Sequence, residues 1–131
     1  MRIITLNLNG IRSATSKGVF GWLKRQNADV VCLQEVKAHE TDLTEAMRPK
    51  GYHVFFNCAE KKGYAGVALY TRREPDRVRV GFGSKEHDDE GRYLQADFGR
   101  LSIVSLYLPS GSAGPHRQAS KYRFMEHFLP I

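Results

Sequence analysis

The chain has 131 residues, 41% hydrophobic and 26% charged, which supplies core material for one ordinary domain and argues against disorder. Twenty Lys and Arg against 14 Asp and Glu leave a net charge of +6 and a pI near 9.5, which favours polyanionic partners without requiring one. No apolar window approaches the roughly 20 residues of a membrane span, no signal peptide is visible ahead of the first strand, and two cysteines make no disulfide framework, so a reducing cytoplasm is the expected setting.

In chain order the pattern predicts strand, helix, strand, helix, several strands, then helix. The run Ile3-Ile4-Thr5-Leu6 is a first strand that ends in Asn7-Leu8-Asn9-Gly10. Ser16 is the expected cap of a helix reaching about Asn27, with Val19, Phe20, Trp22 and Leu23 as its apolar face. Asp29 to Leu33 is a second strand, apolar throughout and therefore buried on both faces, with Cys32 as a small core residue. Asp42 and Glu45 resemble a capping pair for a short helix that must stop before Pro49.

Gly51 turns the chain into the β-prone run 52–56, and the bend 63–66 leads into a strand over 67–70. Residues 76–82 alternate arginine and valine, the pattern of a half-exposed strand. His87-Asp88-Asp89-Glu90-Gly91 is expected to be an acidic loop. Residues 92–98 and 101–108 read as a hairpin across Gly99-Arg100. A Ser/Gly/Pro loop over 109–115 and an amphipathic stretch from His116 toward Leu129 complete the chain, which shows no internal domain boundary.

Three groups of residues carry chemical meaning. Asn7, Asn9 and Glu35 stand at the exits of two strands expected to be neighbours, and all offer oxygen donors. A hard divalent cation needs only one or two carboxylates when a phosphate completes its shell. The alternative is that the two carboxamides close a turn before Gly10 and the carboxylate caps a nearby element. Tyr107 stands at a third strand exit, where its hydroxyl can hold a phosphate oxygen or simply edge a sheet. Arg12, Lys37, Arg92 and Tyr64 can grip a phosphate backbone; as isolated charges they would be no more than a solvated face. Arg72, Arg73, Lys61 and Lys62 are assigned to surface charge, and the five histidines have no metal-ligand spacing.

Five segments together resemble the exonuclease III family of apurinic/apyrimidinic DNA endonucleases, within the endonuclease/exonuclease/phosphatase superfamily. They are Asn7-Leu8-Asn9-Gly10-Ile11-Arg12, Cys32-Leu33-Gln34-Glu35-Val36-Lys37, Gly63-Tyr64-Ala65-Gly66-Val67-Ala68, Glu90-Gly91-Arg92 and Tyr107-Leu108-Pro109-Ser110-Gly111. The resemblance implies an α+β, DNase I-like fold: a four-layer α/β/β/α sandwich with mixed sheets. This chain would be the N-terminal portion of one such domain, most of one sheet with its helices, lacking its partner sheet. The inner face so exposed would make the chain aggregation-prone or oligomeric, whereas the full-length protein would be a monomer.

The resemblance also implies roles. Glu35 would bind magnesium, or manganese in its place, with Asn7 beside it. Asn9, where many relatives carry aspartate, would help position the metal. Tyr107 would contact the scissile phosphate; Arg12, Lys37, Tyr64 and Arg92 would contact the DNA strand, joined by Ser110 where many relatives have asparagine. The implied reaction is hydrolysis of the phosphodiester 5′ to an abasic site in double-stranded DNA, with 3′-exonuclease and 3′-phosphatase side activities. The family's Gly-Asp-x-Asn and Ser-Asp-His segments, which supply the rest of its site, do not occur in these 131 residues. The alternatives are a superfamily phosphodiesterase acting on RNA or a phosphoinositide, and a non-catalytic chain that binds nucleic acid weakly.

Overall fold

The computed structural model of the chain describes residues 1–61, 63–109 and 115–128. The first sheet contains β1 (Ile3–Asn7), β2 (Val30–Gln34), β3 (His53–Asn57) and β4 (Val67–Thr71) in the order β1-β2-β4-β3. Only the β1–β2 pair is parallel; the others are antiparallel, so the sheet is mixed. A second, antiparallel sheet is formed by β5 (Arg77–Val80), β6 (Tyr93–Phe98) and β7 (Leu101–Leu106) in sequential order. Its β6–β7 hairpin turns at Gly99-Arg100, where the pattern places it.

Period-two alternation sorts the strand residues between cores. Val30, Cys32, Val67 and Leu69 of the first sheet pack against Leu94, Ala96 and Ile103 of the second. Their strand neighbours Val31, Leu33, Ala68 and Tyr70 face the other way. There they meet Ile11 of α1 (Ile11–Ser16) and Leu23, Val19 and Phe20 of α2 (Val19–Gln26). The outer face of the second sheet carries Tyr93, Val104 and Leu106, covered by Phe124, Met125 and Phe128 of α4 (Pro115–Phe128). Helix, sheet, sheet and helix are therefore all present.

The expectation of one sheet without its partner is thus corrected. Both sheets are built from this chain, and the apolar face that reading would leave open is buried between them. The open stretch is narrower: Ile3, Thr5 and Asn7 share the inter-sheet side of β1 with their register partners Val30, Cys32 and Gln34, yet all three are exposed, Ile3 by 49%.

Three local expectations also change. The first helix begins at Ile11, and Gly18, with a φ of 89°, breaks it into α1 and α2. Ser16 therefore ends a helix instead of starting one, and its hydroxyl donates to the carbonyl of Ser13. The Asp42/Glu45 segment folds as two 3-10 turns, Glu40–Asp42 and Glu45–Met47. The acidic loop contains a short helix, α3 (Lys85–Asp88), and buries His87 completely. No helix among the described residues is long and apolar enough to cross a membrane.

Tyr70 ties the first sheet to the 3-10 segment by donating its hydroxyl to the carbonyl of Met47 at 2.6 Å. Burial raises its pKa above the ordinary phenol value. The unfolded chain therefore releases this proton first, and stability present below about pH 10 is lost as pH rises toward the folded value. Urea midpoints should fall between pH 9.5 and 11.5, about the range of phenol titration, and less steeply in Tyr70→Phe than in the wild type.

Candidate active site

One end of the sandwich gathers the exits of β1 and β2, the entry to β4, the entry to β6 and the exit of β7. Backbone hydrogen bonds run past the strands into the loops. Gly10 and Ile11 donate to the carbonyls of Glu35 and Val36, while Val36 and Lys37 donate to those of Gly66 and Ala65, all at 2.8–3.0 Å. The loops are thereby held as extensions of the sheet. They hold unusual backbone: Asn9, Glu35, Lys37 and Ala65 all have positive φ, at 48°, 53°, 50° and 30°. Left-handed conformations at non-glycine residues concentrate at functional sites because the surroundings must over-determine them.

Glu35 is the hub. Its carboxylate lies close enough to the Tyr107 phenol for its charge to act on it, so side chains from the two sheets face each other there. The Tyr107 phenol is held above its ordinary pKa by burial first, then by the negative charge of Glu35; it is a proton donor at neutral pH. On the other side, Lys37 Nζ lies 3.4 Å from Glu35 Oε1 and donates to Asn9 Oδ1 at 2.8 Å. A cationic group already sits against one carboxylate and one carboxamide oxygen. Among the described residues no cluster of three or more His, Cys, Asp or Glu offers a metal a closed cage. The all-oxygen donor set suits a hard divalent cation that keeps water and takes a phosphate.

The two carboxamides behave differently from expectation. Asn7 Oδ1 accepts from the backbone N–H of Asn9 at 2.9 Å, the turn-closing alternative, and its side chain is exposed. Asn9 is the carboxamide that the structure joins to Glu35, through Lys37. Asn7 stands next to this group by register, opposite Gln34.

Arg92 requires the largest correction. Expected to reach a DNA strand, it is only 2% exposed. Its Nε donates to Glu90 Oε1 at 2.7 Å, its Nη1 to the Tyr107 carbonyl at 3.2 Å and its Nη2 to the Tyr64 hydroxyl at 3.2 Å. The guanidinium also lies over both tyrosine rings, 5.6 Å from Tyr64 and 5.3 Å from Tyr107. Tyr64 is accordingly half-buried, turned toward Arg92, in its glycine-flanked bend. Arg12 is exposed on α1, and Lys37 is 39% exposed at its side chain. Ser110 lies outside the described residues, as does Lys62.

Sequence reading assigned no role of their own to Gln34, Ser105 and Glu90. Gln34 accepts from Thr5 Oγ1 and donates to Ser105 Oγ, which in turn donates to the Leu33 carbonyl; the three link β1, β2 and β7 beneath Glu35. A polar residue ending an otherwise apolar strand was the available signal for Gln34; nothing marked Ser105.

The layers and this rim define a class, the four-layer α/β/β/α sandwiches of DNase I-like fold. Within it, the chain belongs to the Endonuclease/Exonuclease/phosphatase family, whose model matches residues 4–129. It is 36% identical over 130 residues to an exodeoxyribonuclease of Bacillus subtilis, covering 98% of this chain and 51% of that one. It is also 36% identical over 118 residues to a DNA-(apurinic or apyrimidinic site) endonuclease of Dictyostelium discoideum, covering 89% of this chain and 33% of that one. An AP endonuclease structure from Archaeoglobus fulgidus superimposes with a TM-score of 0.84 at 32% identity, over 99% of this chain and 50% of its own. The chain thus spans about half the length of two of these relatives and a third of the other.

Gly91 gives a direct test of how tightly this rim is built. It has a φ of 64°, and a Cβ there would lie 2.4 Å from the carbonyl oxygen of Asn57. Gly91→Ala should cost about 2–4 kcal/mol in urea denaturation, since both backbone conformation and space oppose it.

Proposed function

We propose that the intact protein is a DNA-repair phosphodiesterase that hydrolyses the bond 5′ to an abasic site in double-stranded DNA with a divalent cation, carrying 3′-exonuclease and 3′-phosphatase side activities. The observation that carries this reading is the Glu35 carboxylate with the Lys37 ammonium 3.4 Å away and bonded to Asn9 Oδ1, the Tyr107 phenol standing within reach of the carboxylate's charge. Family membership and the names of the nuclease relatives support it. This chain would be the N-terminal portion of one catalytic domain, with no internal boundary, acting as a monomer in the cytoplasm, where the free thiols of Cys32 and Cys58 suit a reducing setting.

Glu35, with the carboxamide oxygen of Asn7, would hold magnesium, Asn9 would help position it, and manganese accepts the same oxygens. When bound, such an ion supplies charge neutralisation at the phosphate and its leaving oxygen. Tyr107, protonated at neutral pH, would turn its single O–H to a phosphate oxygen and support the charge that develops there. Lys37 presents its ammonium where a phosphate would approach Glu35, and moves from Asn9 to that anion. Arg12 and Tyr64, with Ser110, are assigned to the neighbouring DNA strand, where they fix register without reading bases. Orienting a water in line with the phosphorus requires further groups on the facing wall, which the relatives' additional length can supply.

The test is incision of a duplex carrying an abasic analogue by the intact protein, compared with RNA and inositol phosphates of similar charge. Glu35→Ala should reduce incision about a thousandfold or more, the loss of roughly 4 kcal/mol of transition-state stabilisation, and a chelator should abolish it. Incision that survives both removes the proposal, and faster turnover of RNA or an inositol phosphate reassigns the substrate. Lys37→Ala should weaken duplex binding and lower the slope of log K against log salt by about one, as expected for loss of a single phosphate contact.

A further inference from the structure

Every nitrogen of the Arg92 guanidinium is engaged inside the protein: Nε by Glu90, Nη1 by the Tyr107 carbonyl and Nη2 by the Tyr64 hydroxyl. The backbone adds a reciprocal bond, Tyr107 N–H to the Arg92 carbonyl at 2.9 Å. A side chain exposed by 2%, with three of its N–H donors bonded inside the protein, presents almost none of its fork to a phosphate. Its charge is balanced by Glu90, whose Oε1 lies 2.7 Å from Arg92 Nε and 3.7 Å from Nδ1 of the buried His87.

Glu90 is itself held in place. It belongs to a segment tied down on several sides. Asp88 caps the N–H groups of Phe82 and Gly83 at 3.0 Å, and the Asp89 carbonyl accepts from Glu60 N–H at 2.8 Å. Gly91 lies directly on the backbone of Asn57 and Cys58. His87 meets the rings of Phe82 and Phe124, the core that attaches α4 to the second sheet. An anchored carboxylate thus grips an arginine wedged between two tyrosines, and one of those tyrosines stands within reach of the Glu35 charge.

We propose that Glu90 is a positioning residue for the candidate active site: through the Arg92 guanidinium it fixes Tyr107 and Tyr64 relative to Glu35, and Arg92 serves the reaction from inside the protein without touching the substrate. The inference rests on the phosphodiesterase reading above and adds to it a bracket that sets the aim of the Tyr107 hydroxyl. Its signature is a loss of rate without a loss of binding. A backbone contact would show the opposite, weaker binding with a shallower salt dependence.

The experiment uses the intact protein and a duplex with an abasic analogue. Single-turnover incision and equilibrium binding without divalent cation are measured at several salt concentrations for wild type, Glu90→Gln, Arg92→Lys, Tyr107→Phe and the Glu90→Gln/Tyr107→Phe pair. Glu90→Gln and Arg92→Lys should each slow incision by about 10- to 100-fold, the usual cost of losing a group that orients a catalytic one. Binding should stay within about twofold, with an unchanged salt slope. The double variant should be no slower than Tyr107→Phe alone, because both changes remove the same alignment.

Wild-type incision in Glu90→Gln, or weaker binding with a reduced salt slope in Arg92→Lys, would overturn the inference. Removing Glu90 leaves a buried cation uncompensated, so if Glu90→Gln fails to fold, Arg92→Lys is judged alone by the same criteria. Glu35→Ala is run alongside. Should it incise normally, the phosphodiesterase reading itself has failed; should it alone be dead while Glu90→Gln is fully active, only the bracket falls.

Discussion

Ser105 is completely buried in β7, and its hydroxyl can be satisfied in few ways. It donates to the Leu33 carbonyl at 3.1 Å and accepts from Gln34 Nε2 at 3.3 Å, both across the gap between the sheets. A buried hydroxyl left without partners costs about 1–3 kcal/mol, so this pair of bonds fixes how the end of β7 meets the end of β2. The chemistry follows directly from that register. Glu35 is the residue after Gln34, and Tyr107 comes two residues after Ser105. A slip by one residue would turn both side chains to the opposite faces of their sheets and separate the carboxylate from the phenol.

The same rim explains where backbone strain is tolerated. Glu35 and Lys37 lie on either side of Val36, which is fully buried, and both have positive φ. Each left-handed non-glycine residue costs on the order of 1–3 kcal/mol. The cost is offset by the ladder bonds from Val36 and Lys37 to the β4 loop and from Gly10 and Ile11 to the β2 loop. Gly66 allows that approach, since a Cβ there would come within 3.2 Å of Val36 Cβ. The result is that Glu35 and Lys37 project from a rigid turn toward Asn9, and the ion pair forms without either side chain reaching far.

Much of this was legible in the chain because it depends on short-range pattern. Apolar alternation located the strands to within a residue or two, and oxygen donors clustered at strand exits marked Glu35 and Tyr107. What the pattern could not give was the partition of strands between sheets, since alternation states that a face is buried but not against what. Val30 and Leu94 carry no label that assigns them to opposite sides of one core. Arg92 was misread for a related reason. A basic residue beside an acidic one is usually solvated, and only long-range packing of the Tyr64 loop and the Tyr107 exit over the same side chain makes it internal. His87 was overlooked because burial within an acidic run requires an aromatic core supplied some forty residues later, by Phe124.

The net charge deserves a similar separation of sum from place. Of the arginines, Arg92 is internal, Arg77 pairs with Asp97 at 3.1 Å, Arg72 lies over the Tyr52 ring and Arg48 over that of Phe56. These cations contribute to the long-range field, yet their local partners hold them to the protein. Exposed Arg12 and Lys17 lie on and directly after α1, and Lys24 and Arg25 near the end of α2, on the segments that follow the β1 exit. Exposed cations thus lie along the first two helices as well as elsewhere, at Arg73, Arg79 and Arg100 among others, and Lys37 stands beside the Glu35 carboxylate. Net charge states how many cations a chain carries but not which of them are bonded internally, which is why Arg92 could be taken for a surface cation.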